Sequence, residues 1–494
     1  MPDAPAQEKI YPIIIVHAIT AGGLHDHYPI DQERVWGPGE LAFKLFDRIS
    51  LYPTTGIADE RMRYEAHGPS LVRPSEVFKM IYGELVAELK HNLSYAKTPV
   101  QPVYTYSYDW RQNNFYTIRH FAAFVQEVIE RTNQMRYDST KVKGALCDSV
   151  DLVGHSMGGI VIAGCLASNL LRDDNGVPVV RRVVTLGTPF RGANAAIRKL
   201  AVGGDGFVFR GGSERERTMA RVTPSVYQLL PSFAGTLRDK NDKPLDTGGT
   251  TSADLMFDPK TFQPSVRDTL AEFVQDVVND ASLASDKAAC KKIATQVFGE
   301  MLDSARRYRE LVEQVSPQVH LLPANKGGAW LAIVGAGEET MTRTKLGVDQ
   351  YGQTRFDMDN CSCKDSWNGT TTDTGDETVP LLGAMPPWAD SWKNTVVVQR
   401  QDVPWLGEGI DRALINGAVG FHGALPLVDL AQRWIINFFR PKWADTASLG
   451  QHGRLWGRAL PNWGGSQITK QPTKAELQAV WGEMIPGLSL SDVP

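Results

Sequence analysis

Cysteine is scarce in this chain, which has 5 cysteines among 494 residues. Their number is odd, and Cys147 and Cys165 lie in apolar segments that are typical of a protein core. This usage excludes a small disulfide-stabilised scaffold and indicates a reducing compartment. The N-terminal sequence MPDAPAQEKIYP lacks the basic and apolar regions of a Sec-type signal peptide. We therefore expect a cytoplasmic protein, with export by a route other than Sec as the alternative.

Long apolar segments are missing as well. The longest candidates, Pro12–Val16 and Ile160–Ala167, are far shorter than the roughly 18–20 residues that a helix needs to cross a bilayer. Positive and negative charges nearly balance, since 52 basic and 56 acidic side chains give a net charge of −4. Nucleic-acid-binding domains are usually strongly basic. The sequence therefore argues against a membrane-spanning protein and against a nucleic-acid binder.

Short apolar strands alternate with amphipathic helices along most of the sequence. The predicted strands are Ile13–Val16, Val100–Ser107, Val150–Val153, Val179–Leu186, Trp330–Val334 and Asn394–Gln399. The predicted helices are Glu76–Lys90, Tyr116–Met135, Met157–Asn169 and Leu425–Phe439. This alternation is typical of an α/β protein with a mostly parallel central sheet and helices on both of its faces.

The sequence GHSMG at residues 154–158 matches the pattern G-x-S-x-G. The residues before it predict a strand and those after it a helix, which is the setting that the nucleophile elbow of the α/β-hydrolase fold requires. Because the turn is tight, Ser156 should have strained backbone angles, and Gly154, Gly158 and Gly159 should let the strand and the helix approach each other. We predict Ser156 as the nucleophile; a glycine-rich turn with an incidental serine is the alternative.

A serine nucleophile needs a general base and an orienting carboxylate, and in this fold the acid precedes the histidine in the chain. The histidines after Ser156 are His320, His422 and His452. His422 follows the last predicted strand and precedes the last predicted helix, where the base belongs. His320 precedes the strand that should carry the acid, and His452 lies beyond the last helix. We therefore predict His422 as the base and assign the other two to structural or surface roles.

The orienting acid is predicted within TGDETVP at residues 374–380, where a Gly-Asp turn precedes an extended segment. Asp376 is the first choice, and Glu377 and Asp373 are the alternatives, which would otherwise be solvated loop charges. Asp376 would hold the His422 ring in the required tautomer and stabilise its imidazolium. Since His422 must be neutral to accept a proton, activity should fall at acid pH.

Two backbone N–H groups must stabilise the oxyanion that forms during acyl transfer. One should come from Met157, the residue after the nucleophile, and the other from the loop after Ile13–Val16. That loop, HAITAGG at residues 17–23, resembles the His-Gly-x loop of many lipases with Ala18 in place of the glycine. This match makes Ile19 the second donor, with Thr20 as the alternative.

Residues 193–323 interrupt the alternation of strands and helices, because glycine-rich loops and polar helices replace the apolar strands there. We expect this segment to be a cap or lid inserted over the active site. Residues 1–192 and 324–440 would then form the α/β-hydrolase catalytic core. Residues 441–494, rich in Trp, Gly and Pro, are predicted to be an irregular C-terminal extension.

Together with four further motifs, these residues resemble the lecithin:cholesterol acyltransferase-like family of α/β hydrolases. The motifs are YDWR at 108–111, LGTPFRGA at 186–193, SVYQLLPS at 225–232 and GDETVP at 375–380. They occur in the order that the family has. The chain departs from the family at His17 and Ala18, where Pro-Gly is frequent, and at Glu377, where the acid loop usually has glycine. The segment Gly337–Asp373 looks like an insertion.

The resemblance implies a serine lipase, phospholipase or acyltransferase that acts on a lipid ester through an acyl-enzyme on Ser156, without a cofactor. It implies a lipid substrate and allows a peripheral contact with a membrane. It also implies that Asp109 and Arg111 pair to brace loops near the site. The alternative within the fold is a non-lipid esterase, lactonase or amidase, because a fold alone does not fix the substrate. An inert hydrolase that serves as a binding module is the alternative from another class.

The segment DMDNCSC at residues 357–363 groups carboxylates and thiols. Its spacing fits neither an EF-hand loop nor a CxxC zinc site. We expect a solvated loop there and no metal site.

Overall fold

The computed structural model of the chain describes residues 9–37, 46–56, 59–62, 64–93, 101–135, 146–202, 214–323, 329–365, 372–388, 394–399 and 420–439. The strands are β1 Ile13–Val16, β2 Gly22–Asp26, β3 Glu33–Trp36, β4 Val72–Val77, β5 Val103–Tyr106, β6 Val150–His155, β7 Val180–Leu186, β8 Leu237–Arg238, β9 Trp330–Ala336, β10 Thr340–Met341, β11 Thr344–Val348, β12 Thr354–Asp357, β13 Ser362–Cys363 and β14 Thr395–Gln399.

The α-helices of the described residues follow the same chain order. They are α1 Lys79–Leu93, α2 Asn114–Gln134, α3 Met157–Ala167, α4 Asn194–Ala201, α5 Glu214–Arg221, α6 Pro224–Tyr227, α7 Ser252–Met256, α8 Pro264–Val277, α9 Ala281–Ser285, α10 Lys287–Glu313, α11 Pro317–His320, α12 Leu381–Ala384, α13 Gly420–Ala424 and α14 Asp429–Phe439. Short 3₁₀ helices span Asp47–Ile49, Pro259–Thr261 and Leu425–Leu427.

A six-stranded parallel sheet forms the centre of the molecule, in the order β14-β9-β7-β6-β1-β5. Every residue of β1, β6, β9 and β14 is buried. Strands that are covered on both faces have largely apolar sequences, and this pattern indicated these four strands in the sequence. Each of the six predicted strands overlaps one strand of this sheet, so the prediction of an α/β protein with a mostly parallel sheet is confirmed.

Helices pack around this sheet in a way that the sequence explains locally. Helix α1 packs against α14, and α2 packs against α3. Helix α3 also contacts α10, where the Tyr308 hydroxyl donates a hydrogen bond to the Ile160 carbonyl at 2.9 Å. Gly164 makes this approach possible, because a Cβ atom there would lie 2.4 Å from the Tyr308 oxygen. None of the helices that the structure describes combines the length and apolar character that crossing a bilayer requires.

Within the described part of residues 193–323, helices predominate and no strand joins the central sheet. The two-residue strand β8 was not predicted; it pairs with β11 and extends the β11–β12 hairpin to three strands. Strands β10 to β13 all lie within Gly337–Asp373, the segment that looked like an insertion. The division into core and cap remains a prediction, and residues 441–494 lie outside the described residues.

The buried guanidinium of Arg309, on α10, links this helix to the loop after β7. Arg309 donates to the carbonyl oxygens of Gln228 at 3.0 Å and of Leu230 and Pro189 at 3.3 Å, and also to that of Phe190. Burial lowers the pKa of Arg309 to about 10. The contacts join two of the motifs that carry the family resemblance, since the carbonyls belong to LGTPFRGA and SVYQLLPS.

A second sheet, β3-β2-β4, is antiparallel and was not predicted. The predicted helix start at Glu76 was wrong, because β4 continues to Val77 and α1 begins at Lys79. Between them, the Phe78 N–H donates to the Ala21 carbonyl at 3.1 Å. The backbone is thus held by a partner distant in sequence, which local helical periodicity does not reveal.

Candidate active site

Ser156 lies in a sharp turn between β6 and α3, with backbone angles φ 52° and ψ −122°. A side chain in this region of backbone space is strained. The neighbouring glycines explain how the turn forms. A Cβ atom at Gly158 would lie 2.2 Å from the Val16 oxygen, and one at Gly159 would lie 1.9 Å from Thr188 Oγ1. The start of α3 therefore touches the end of β1, next to the loop predicted to form the oxyanion hole.

The structure brings the three residues predicted for the reaction together. His422 Nε2 lies 2.9 Å from Ser156 Oγ, and His422 Nδ1 lies 2.7 Å from Asp376 Oδ2. The other carboxylate oxygen, Oδ1, accepts hydrogen bonds from the backbone N–H groups of Thr378 at 3.1 Å and Val379 at 2.7 Å. All three side chains are buried. A hydroxyl, an imidazole and a carboxylate thus form one hydrogen-bonded series.

The alternative acids and bases lie elsewhere. Asp373 forms an ion pair with Arg343 and is about half exposed. Glu377 follows Asp376 but turns its carboxylate to the backbone N–H of Phe421, at 2.7 Å. The His320 ring pairs with the backbone of Ser316, in its own helical turn. His452 lies outside the described residues.

Two glycines make room for the carboxylate and the imidazole. A Cβ atom at Gly335, on β9, would lie 2.5 Å from Asp376 Cβ. At Gly187, where φ is 52°, it would lie 2.9 Å from Asp376 Oδ2 and 3.0 Å from His422 Nδ1. Glycine at the ends of β7 and β9 is therefore required for the contact between Asp376 and His422.

Gly187→Ala is expected to lower kcat by about 10- to 100-fold, because displacement of a reacting group by about 1 Å can cost that much. The added methyl group would push against both Asp376 and His422, whereas binding of the ester should change little. Steady-state kinetics on a short-chain ester would measure kcat and KM separately.

Gly176→Ala is the matched control for Gly187→Ala. Gly176 has φ 77°, and no atom lies within 4 Å of the Cβ position. This variant should lose about 1–2 kcal/mol of stability through backbone strain alone and keep its kcat. Equal losses of kcat in the two variants would show that strain, rather than contact with Asp376 and His422, is responsible.

The loop after β1 is held in place from several sides. The Ala18 N–H donates to the Tyr82 hydroxyl at 2.9 Å, and the Ala18 carbonyl accepts from the Ala21 N–H at 3.2 Å. The Thr20 carbonyl accepts from the Trp36 indole N–H at 2.9 Å. Thr20 has φ 64°, a strained value for a β-branched residue. These hydrogen bonds thus hold the loop without using the N–H of Ile19.

The predicted oxyanion donors are Met157, directly after the serine, and Ile19, in the loop after β1. Ile19 and Met157 are both buried, and Met157 is the first residue of α3, where helical N–H groups lack intrahelical partners. The N–H groups of Ile19 and Thr20 have no hydrogen-bond partner among the described residues. Both therefore stay candidates for the second donor, while Ala18 is already committed to Tyr82.

Buried polar contacts of the YDWR motif also lie near the loop after β1. Arg111 is fully buried and donates to both carboxylate oxygens of Asp109 at 2.8 Å and to Glu65 at 3.2 Å. This is the pairing that the family resemblance implies. The Tyr108 hydroxyl donates to the His17 carbonyl at 2.8 Å, and the rings of Tyr108 and His17 stack at 4.2 Å. The YDWR motif thus supports the loop after β1.

Sequence reasoning did not single out His155, Tyr82 or the contact of Glu377 with Phe421. His155 is the variable residue of the G-x-S-x-G pattern, and its ring lies between the Tyr82 hydroxyl at 2.8 Å and the His422 carbonyl at 3.0 Å. No motif marks Tyr82, which is 73 residues away along the chain. Its position at the end of a predicted buried strand was the signal available for His155.

Two buried histidines should make the protein sensitive to acid. Burial lowers the pKa of His17 to about 4 and that of His155 to about 3, the latter also through the nearby His422. Histidine in an unfolded chain has a pKa near 6.5. Below that pH the unfolded state binds protons that the folded state excludes. The free energy of unfolding should therefore fall by up to about 1.4 kcal/mol per pH unit for each histidine.

Denaturant unfolding at pH 6.5 and 5.5 would measure this effect in a range where carboxylates contribute little. His17→Gln should reduce the pH slope by about 0.7 proton over this range, whereas His91→Gln, at an exposed position on α1, should not. An unchanged slope in His17→Gln would contradict the explanation.

The described residues contain no cluster of three or more His, Cys, Asp or Glu side chains that could hold a metal ion. The segment 357–363 runs from the end of β12 into β13. Asp357 and Asp359 are exposed, but Cys361 is fully buried, and its Sγ lies 3.5 Å from the Asp357 carbonyl. The expectation of a solvated loop was therefore wrong for Cys361, because the short strands fold it inward.

The parallel sheet and the serine elbow define the class of this protein, the α/β hydrolases. A chain in "The crystal structure of Tle4-Tli4 complex" is similar in fold, with a TM-score of 0.51 and 14% identity over 91% of this chain and 100% of that chain. The family model described as lecithin:cholesterol acyltransferase matches residues 75–413. The chain belongs to this family, which confirms the resemblance seen in the sequence.

Membership of this family fixes the broad activity. The protein is a lipase- or acyltransferase-like hydrolase, and the family implies lipid substrates. The comparison with curated protein sequences returned no match.

Proposed function

We propose that this protein is a serine-dependent ester hydrolase that acts on lipids through an acyl-enzyme on Ser156. The observation that supports this most strongly is the hydrogen-bonded series from Ser156 Oγ to His422, at 2.9 Å, and from His422 to Asp376, at 2.7 Å. Its position on a strained strand–turn–helix elbow is the arrangement expected of a nucleophile.

In the first half of the reaction, Ser156 Oγ attacks the ester carbonyl while His422 Nε2 takes the hydroxyl proton. Asp376 stabilises the imidazolium that forms. The tetrahedral intermediate collapses as the bond to the alcohol breaks, and His422 returns the proton to the leaving alkoxide. The fatty acyl group is then esterified to Ser156.

In the second half, His422 removes a proton from an incoming hydroxyl, which attacks the acyl-enzyme and regenerates Ser156. Water as the acceptor releases a fatty acid, and an alcohol gives a new ester. The N–H groups of Met157 and Ile19 are proposed to stabilise the oxyanion in both halves. Hydrolysis and acyl transfer thus share one intermediate, and the family name gives reason to test for both.

Residues 193–323 are proposed to cover the bound acyl chain. Ser156 is only 3% exposed, so an ester must be enclosed by protein when it reacts. Exclusion of water would strengthen the electrostatic contacts at the serine and would let an alcohol compete for the acyl group.

The test uses purified protein beside Ser156→Ala, with vesicles that contain mixed phospholipids and neutral esters. Mass spectrometry would follow fatty acids and new esters. Fatty acid release by the wild type alone supports a lipid hydrolase, and Ser156-dependent new esters make it an acyltransferase. If Ser156 reacts with a fluorophosphonate probe but no lipid is turned over, a non-lipid esterase, lactonase or amidase becomes the better proposal.

A further inference from the structure

A continuous series of buried hydrogen bonds runs through His155, the residue before Ser156. It begins at the Ala18 N–H, which donates to the Tyr82 oxygen at 2.9 Å. The Tyr82 hydroxyl lies 2.8 Å from His155 Nδ1, and His155 Nε2 lies 3.0 Å from the His422 carbonyl. The side chains of Tyr82, His155 and His422 are at most 1% exposed. The series therefore joins the loop that supplies the oxyanion donors to the residue that supplies the base.

The chemistry of the end groups fixes the direction of every bond. A carbonyl only accepts hydrogen bonds, so His155 must carry its proton on Nε2. A neutral ring then accepts at Nδ1, which orients the Tyr82 hydroxyl proton toward it and leaves the Tyr82 oxygen to accept from Ala18. Each buried polar group has a partner in this one arrangement, and such fully satisfied networks fix the positions of their members.

A protonated His155 would break the arrangement. Its Nδ1–H would face the Tyr82 oxygen, which already accepts from Ala18, and the displaced hydroxyl proton would lack this acceptor. Burial favours the neutral ring in the same way, since it lowers the pKa of His155 to about 3. The order of donors and acceptors is therefore stable throughout the neutral range.

We propose that Tyr82 and His155 are positioning residues that hold the oxyanion loop and the backbone of His422 in a fixed relation to Ser156. This inference rests on the proposed function of Ser156 and His422. Asp376 orients the His422 ring at Nδ1, whereas His155 holds the His422 backbone at its carbonyl oxygen. Tyr82 binds the Ala18 N–H, and the Ala18 carbonyl, which shares its peptide group with the Ile19 N–H, accepts from the Ala21 N–H at 3.2 Å. The Ile19 N–H is thereby held in one orientation.

The test compares Tyr82→Phe with Tyr106→Phe on a chromogenic ester. Tyr106 lies on β5 at a similarly buried position, and its hydroxyl has no hydrogen-bond partner among the described residues. Tyr82→Phe should lower kcat by about 10- to 100-fold, because the Ala18 N–H and His155 Nδ1 lose a buried partner. KM should stay near the wild-type value, and Tyr106→Phe should keep both constants. Equal kinetics in the two folded variants would overturn the proposal.

Variants of His155 separate positioning from simple packing. The two ring nitrogens are about as far apart as the oxygen and nitrogen of a carboxamide, so His155→Gln can accept from Tyr82 and donate to the His422 carbonyl. It should retain more activity than His155→Phe, which can do neither. The double variant Tyr82→Phe/His155→Phe should lose no more than the worse single variant, since both break one series. Additive losses would contradict the coupling.

A measurement without turnover keeps this inference separate from the proposed function. Nitrogen-15 chemical shifts of the His155 ring should show a protonated Nε2 and an unprotonated, hydrogen-bonded Nδ1, with the Nδ1 signal shifted in Tyr82→Phe. A ring protonated on Nδ1 would overturn the positioning proposal even if Ser156 is the nucleophile. If the proposed function is wrong, the result is different: ester hydrolysis would persist in Ser156→Ala.

Discussion

Ser156→Ala is expected to reduce kcat by about 10⁴–10⁶-fold, the range found when a nucleophile that acts as a unit with its base is removed. Alanine removes the atom that forms the acyl-enzyme, and neither His422 nor Asp376 can replace it. The backbone should adapt without difficulty, because alanine is smaller than serine and the glycines at 158 and 159 still allow the turn. The variant should therefore fold and should also lose its reaction with a fluorophosphonate probe.

Ser168→Ala provides the control for this prediction. Ser168 follows α3, and its hydroxyl donates to the Cys165 carbonyl at 2.9 Å. This variant should keep its activity and its probe labelling. Ester hydrolysis that persists at more than about one per cent in Ser156→Ala would exceed the residual expected from binding alone and would mean that another residue is the nucleophile.

Asp376→Asn should lower kcat by about 10⁴-fold, as expected when the orienting acid of a serine–histidine pair becomes an amide. Asp376 Oδ1 accepts two backbone N–H groups, so the amide oxygen of asparagine must occupy that position. Its NH₂ group then faces His422 Nδ1 as a donor. The ring must accept there and carry its proton on Nε2, directed at Ser156, where it cannot act as a base.

The matched change Asp373→Asn tests the nearest alternative acid on the same loop. Asp373 pairs with Arg343 at a half-exposed position, so the variant should keep its kcat. Measurements of kcat and KM for Asp376→Asn and Asp373→Asn would show which carboxylate orients His422. Melting temperatures would exclude unfolding as the cause of a loss. A full loss in Asp373→Asn with an active Asp376→Asn would transfer the acid role to Asp373.

Most of the central sheet could be predicted from sequence because β1, β6, β9 and β14 are wholly buried and largely apolar. The antiparallel sheet β3-β2-β4 could not be predicted in this way. The strand Glu33–Trp36 is exposed in its first half and buried in its second, and Val72–Val77 contains Pro74. Neither shows the alternation of a half-buried strand. The two-residue strands β8, β10 and β13 are too short to produce any pattern.

The three residues of the proposed reaction differ in how they could be found. Ser156 is marked by its immediate neighbours, since the elbow is a local structure. His422 is 266 residues from Ser156 and was found through chain order and its place before the last helix. The partnership of Tyr82 with His155 depends on the packing of α1 against the sheet, for which chain order gives no rule. Tertiary contacts between residues that belong to no motif are thus the part that sequence reasoning missed.

Glu377 has φ 83°, a backbone conformation that glycine adopts freely and that costs other residues about 1–2 kcal/mol. Its carboxylate accepts the N–H of Phe421, at the start of the short helix that carries His422. A glycine at this position would relieve the strain but would also remove the contact with Phe421, which leaves the helix joined to the acid loop through Asp376 and His422. Selection for stability and selection for activity therefore oppose each other at this residue. Sequences that drift toward glycine here must anchor the histidine helix by other contacts.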